Sequence, residues 1–191
     1  MKEVVKLKKY DFRFDTELFR SFVGKTFNKY IHDKFEYTNT ATLYVGMMID
    51  NISYEFENDY EEVDYFGWDG EATVSRFFEK DWDSIVSILG DNAVITSVNE
   101  TIRSIRIIND HFMSYSNGEQ DYDWWETRSI IFNFGDHEIS FEKQDCWFSM
   151  EIEINKGKNL IEKISGGQFI LEDHEQSEKQ EIVTNREIID L

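Results

Sequence analysis

From residue 93 to residue 154 the apolar residues recur mainly with a period of two. A chain patterned this way is committed to strands over about a third of its length. Residues 93–98 and 102–108 read as strands, the second with Ile105 and Ile107 on one face. Asn117-Gly118 marks a tight turn. Arg128 to Phe134 and Glu138 to Glu142 alternate on either side of Gly135-Asp136, which predicts a hairpin, and Phe148, Met150, Ile152 and Ile154 alternate again. These strands follow one another too closely for parallel crossovers, so a doubly wound fold is excluded.

The first half reads differently. Asp15 as N-cap, Glu17 in the first turn and Gly24 as a stop predict a helix over 15–23. Residues 26–37 are ambiguous, with apolar spacing closer to a helix than to a strand. Thr40 to Phe56 predicts one or two strands broken near Asp50-Asn51, and Gly67 and Gly70 punctuate a loop. Val74, Phe77, Phe78, Trp82, Ile85, Val86 and Leu89 form a 3.6-period stripe that predicts the longest helix over 73–89. A closing helix is expected near 157–164. The expected fold class is therefore α+β: an antiparallel sheet, its hairpins mainly in the second half, packed with two to four helices. Residues 1–166 form one domain in this reading. Residues 167–191 form an acidic tail, partly disordered or loosely docked, and Ile188, Ile189 and Leu191 leave a docking helix or strand open.

Charge is the second constraint. The chain carries 39 acidic and 20 basic residues in 191, a net charge of −19. Residues 1–36 hold nine Lys/Arg against six Asp/Glu, whereas residues 48–83 hold twelve acids against Arg76 and Lys80 alone. Such a surface repels nucleic acid and anionic membranes and attracts basic protein surfaces. Aromatic residues make up 16% of the chain, enough to build a large core despite the charge.

Catalytic and cofactor motifs were sought by spacing. Gly24-Lys25-Thr26 lacks the earlier glycine of a phosphate loop, because Phe19 stands there. No glycine triplet matches a dinucleotide fingerprint. The four histidines, His32, His111, His137 and His174, form no metal-type pair. Around Asp59, Glu61, Asp64 and Asp69 no twelve-residue window has the glycine and glutamate of a calcium loop. The single cysteine, Cys146, excludes an internal disulfide and reads as structural beside Asp145. The N-terminus shows a basic start but no apolar stretch after it, and no run approaches the ~18 apolar residues of a membrane span. A cytoplasmic protein without cofactor or metal, and not an enzyme, is the expectation.

The stretch from Tyr54 to Asp69 interleaves carboxylates with rings. The acids suit Lys and Arg, and the rings suit the same side chains by apolar and cation–π contact. The expected partner-binding residues are Glu57, Asp59, Tyr60, Glu61, Glu62, Asp64, Trp68 and Asp69, with Trp124 and Trp125 from the similar run Gln120 to Glu126. The bland alternative places Tyr54, Phe56, Tyr65 and Phe66 in the core and the acids in water. Adjacent tryptophans on a strand point to opposite faces, so one of Trp124 and Trp125 is expected in the core.

Several elements resemble an uncharacterised family of small acidic bacterial hypothetical proteins. They are Ile105-Arg106-Ile107-Ile108-Asn109, the run Tyr122 to Phe132, Ile139 to Lys143, Trp147-Phe148-Ser149 and Gly157 to Lys163. The resemblance covers residues 102–164 and implies no activity. By analogy of charge and size, the expected function is an immunity-type or phage anti-defence inhibitor. Its acidic face would mimic nucleic acid in a basic site of a nucleic-acid-handling effector or toxin, with no direct contact to nucleic acid or membrane. Homo-oligomers are left open. Two other classes are carried: a small-molecule or second-messenger binder with an aromatic pocket, which needs Arg103, Arg106 and Arg128 to converge, and a hydrolase or transferase.

Overall fold

The computed structural model describes residues 6–66, 68–144, 148–165 and 180–191, and only the backbone of Tyr65, Trp68, Asp69 and Gln180. In chain order the first elements are β1 (Lys8–Phe12), α1 (Thr16–Arg20), β2 (Thr26–Asp33), β3 (Thr40–Thr42) and β4 (Tyr44–Ile49). β5 (Ile52–Tyr65), β6 (Trp68–Glu79), α2 (Trp82–Leu89) and β7 (Ala93–Thr101) follow. The last are β8 (Ser104–Ser116), β9 (Glu119–Asn133), β10 (Glu138–Lys143), β11 (Glu151–Gly157) and β12 (Gln180–Asp190). A seven-stranded sheet runs β12-β8-β9-β10-β11-β3, with β1 lying parallel beside the first half of β9. A five-stranded sheet runs β6-β5-β4-β2-β7.

The protein is thus mainly β: among the described residues 64% are in strands and 12% in helical turns, with two α-helices, which corrects the α+β expectation. The 73–89 helix accounts for much of the difference. Residues 73–79 lie in β6, paired with β5, and the helix begins only where Asp81 accepts a hydrogen bond from the Ser84 N–H at 3.1 Å. The helical stripe misled because its first members also satisfy strand alternation: Phe77 packs on the core while Phe78 is exposed. Residues 26–33 are likewise strand, bent by a bulge between Phe27 and Lys29, which gave their apolar residues a non-alternating spacing. The 157–164 helix shrinks to a 3-10 turn at Leu160–Lys163.

Local chemistry fixes the hairpins. Asp50 and Asn51 both adopt positive φ and join β4 to β5 in a two-residue turn. Asn117 and Gly118 do the same between β8 and β9. In α1, Asp15 caps the N–H of Glu17 at 2.9 Å, as its sequence predicts.

The main core lies between the sheets. Phe27 stacks edge-on to Phe132 at 5.0 Å, and Phe19 meets Phe77 at 4.7 Å. A second cluster gathers Trp124, Phe112 and Ala72 with Tyr10, Phe12, Val63 and Phe66, joining the far end of the β5–β6 hairpin to β8, β9 and β1. α2 lies over β4, where Gly46 makes room for it. A Cβ on Gly46 would stand 2.6 Å from Ile31 and 2.9 Å from Ile85.

The C-terminal residues differ from a loose tail. β12 pairs with β8 from Gln180 to Asp190, and Leu191 exchanges backbone hydrogen bonds with Ile105 at 2.8 and 2.9 Å. Arg186 grips the buried Asp110 with two bonds of 2.7 and 2.8 Å. Residues 166–179 lie outside the described residues. A chain ending at residue 166 should therefore lose this strand and leave Asp110 without its arginine. We expect its melting temperature to fall by more than about 10 °C, since each kcal/mol shifts a domain of this size by roughly 2–4 °C. A melting curve within 2–3 °C of the full chain would contradict the docking.

Candidate functional site

β5 places its residues alternately on two faces, and this divides the acidic-aromatic run. Tyr54, Phe56 and Asn58 are buried toward the core. Glu55, Glu57, Asp59 and Glu61 share the opposite face, about 6.8 Å apart along the strand. They make a regular row of four carboxylates.

Cations hold the two ends of the row. Lys80 Nζ sits 2.5 Å from the buried Glu55, and Arg76 donates to both oxygens of Glu61 at 2.9 and 2.8 Å. Among the described residues, neither Glu57 nor Asp59 has a salt-bridge partner. Asp59 accepts only the N–H of Tyr60, at 2.7 Å. Burial pushes the Glu57 carboxyl up, reinforced by Glu55 and, more weakly, by Asp59 and Glu61, against a smaller opposing pull from Lys80.

Rings flank the row from neighbouring strands. Tyr44 stands across β4 from Glu57, and burial together with Asp59, Glu57 and Glu55 raises its phenol above the usual range. Phe78 stands across β6 from Glu55 and is exposed. The Lys80 ammonium lies over both rings, at 5.5 and 5.7 Å, and the Arg76 guanidinium lies 5.0 Å from the ring of Phe12. Sequence reasoning missed Tyr44, Phe78 and Phe12, because strand register alone brings them to the acids.

The other expected residues scatter. Tyr60 and Glu62 fall on the opposite face of β5, and the Tyr60 hydroxyl donates to the Phe148 carbonyl at 2.6 Å. Asp64 pairs with Lys8 and accepts the Tyr122 hydroxyl. Trp124 is wholly buried, its indole N–H donating to Glu126 at 3.2 Å, so it presents nothing to a partner. Trp125 is half-buried between Arg13, 4.4 Å from its ring, and His111, stacked at 3.9 Å. The side chains of Trp68 and Asp69, and Cys146 as a whole, lie outside the described residues.

Other chemistries find little purchase. Glu100, Asp136 and His137 come together at the β9–β10 turn. Asp136 already holds His137 Nδ1 at 2.7 Å, which leaves Nε2 and Glu100, fewer ligands than a zinc site uses. Asp59, Glu61 and Asp64 do not converge on a cation, because alternation turns Asp64 away from the other two. The arginines a second-messenger pocket would need do not meet either. Arg128 is buried among Asp110 and Glu142, whereas Arg106 pairs with the exposed Asp190. Two concave surfaces open to solvent: that at 62–71 is lined largely by the acids Glu62, Asp64 and Glu71, and that at 33–37 mixes Asp33 and Glu36 with Lys34, Phe35, Tyr37 and Asn92. Among the described residues no helix is long and apolar enough to cross a membrane. No family model, curated protein or solved structure matches the chain.

The raised Glu57 yields a pH signature. The folded state binds this proton more tightly than the unfolded chain does. Its contribution to stability is therefore fullest below about 4.5 and is lost as pH climbs through the raised folded value. Glu57→Gln should raise the melting temperature by about 1–3 °C at pH 7, a modest gain because the group is partly screened by solvent, and by nothing near pH 4. A loss of stability at pH 7 would show that Glu57 has a stabilising partner.

Proposed function

We propose that the protein is a binding protein whose β5 face occupies a basic site on a partner protein. The carrying observation is the middle of the carboxylate row: among the described residues Glu57 and Asp59 have no salt-bridge partner while their neighbours on either side do. A carboxylate held above its usual pKa destabilises the fold around neutral pH, and a partner's Lys or Arg would relieve it. Tyr44 and Phe78 add ring faces for the same cations. A regular row of negative charge edged by rings imitates what a nucleic-acid strand offers, phosphates beside bases. This supports a nucleic-acid-handling partner and an inhibitory or immunity-type role. The buried carboxylates Asp110, Glu126 and Glu142 each have a nearby cation, which favours a binder over an enzyme.

The test is capture by the immobilised chain from cells that express it natively, followed by a binding titration with the captured partner. Wild type should bind tightly at low salt and lose affinity steeply as salt rises. Glu57→Gln with Asp59→Asn should weaken binding by about a hundredfold, ~3 kcal/mol, with the fold intact. An unchanged affinity together with a flat salt response would overturn the assignment.

A further inference from the structure

We infer that the free edge of β7 is a self-association surface, on which a second copy of this chain adds its own β7 antiparallel across a two-fold axis. β7 ends the five-stranded sheet, and its outer edge pairs with no strand among the described residues. An open edge presents unpaired N–H and C=O groups, and proteins ordinarily guard such edges with charge, proline or brevity. The other four edges are guarded. β6 carries Asp69, Glu71, Arg76 and Glu79; β12 carries Glu181, Arg186, Glu187 and Asp190; β1 carries Lys8, Lys9 and Asp11; β3 has three residues. β7 is different. Its residues 93–97, Ala-Val-Ile-Thr-Ser, contain neither charge nor proline in a chain of net charge −19, and the bulge at Val98–Asn99 and the charge of Glu100 lie beyond them.

Two of the exposed apolar side chains lie on this edge as well. Val94 is 37% and Ile95 52% exposed, and Ile88, one turn beyond the buried Ile85 of α2, is 50% exposed. Ile95 pairs across β2 with Ile31, the residue on which Ile85 packs, so Ile95 continues that apolar strip to the sheet edge.

Charge selects the occupant. Two copies repel over most of their surfaces, and residues 93–97 are a stretch of strand edge where a copy meets its own image without charge. Joining the sheets with matching faces requires opposed residues of the same parity. Centred on Thr96, this sets Ile95 against the partner's Ser97, short of the bulge at Val98–Asn99.

The salt response separates this surface from the partner-binding face. Screening weakens attraction to a basic partner but relieves repulsion between two copies, so self-association should strengthen with salt. Sedimentation velocity of the full chain from ~5 to ~200 µM should show a species of twice the 22.8 kDa chain mass. That species should grow with concentration and be more abundant at ~500 mM than at ~50 mM salt.

Ile95→Glu with Ser97→Glu opposes like charges twice across the two-fold and should weaken the dimer at least tenfold. Ile95→Lys with Ser97→Lys should do the same. Mixing the two variants should restore a heterodimer, which also shows that both are folded. A wild-type chain that stays monomeric at both salts, or a dimer that both double variants leave intact, would overturn the inference.

Discussion

Arg128 sits where the long β8–β9 ladder changes step. Ile108 faces Ser129 and Asn109 faces Thr127, so Arg128 is the extra residue of a β-bulge, and its side chain turns inward instead of joining the alternation. It lies 4.0 Å from Asp110 and 3.6 Å from Glu142, and donates to the Gln144 carbonyl and the Ser165 hydroxyl. Asp110 in turn holds Arg186 of β12, while nearby Lys143 bridges Glu126 and the Thr73 carbonyl of β6 at 2.9 and 2.8 Å. One buried ionic layer therefore ties β8, β9, β10 and β12 together and reaches the other sheet. Removing any one member would strand its partner in a low-dielectric interior at a cost of about 3–5 kcal/mol.

That layer also decides where the protein's charge lies. The buried acids Glu55, Asp110, Glu126 and Glu142 are matched by Lys80, Arg186, Lys143 and Arg128. The interior is close to neutral, so the imbalance of −19 is carried by the surface. It is spread unevenly there. The β5–β6 side of the smaller sheet is acidic, whereas β2 and β7, at the other side, hold few charges. The proposed partner face and the proposed self-association edge thus lie at opposite sides of one sheet.

Much of this was legible in the sequence where a local rule has no competitor. Asp15 capped its helix, Asn117-Gly118 and Gly135-Asp136 made their turns, and Trp124 and Trp125 divided between the core and a half-exposed position. The failures have a common cause. Residues 73–79 fit both a helical stripe and a strand, and pairing with β5 decided it, a non-local term that no window contains. The acidic run was found, but alternation sent Tyr60, Glu62 and Asp64 away from Glu57 and Asp59. Pairing register alone brought Tyr44 and Phe78 beside them. The cationic ends of the row, Lys80 and Arg76, were visible as the lone bases of an acidic stretch, though their pairing with Glu55 and Glu61 was not.

The central claim is the proposal that Glu57 and Asp59, the middle of a carboxylate row whose ends are held by Lys80 and Arg76, are open to a partner's cation. A carboxyl-detected NMR titration of the free protein measures this directly. Glu57 should titrate above the ~4.3 of an ordinary glutamate, mainly through burial, and added salt should move it part of the way back by screening Glu55, Asp59 and Glu61. A Glu57 that titrates at or below ~4.3 would mean the row is already neutralised within the fold, and the account would be wrong.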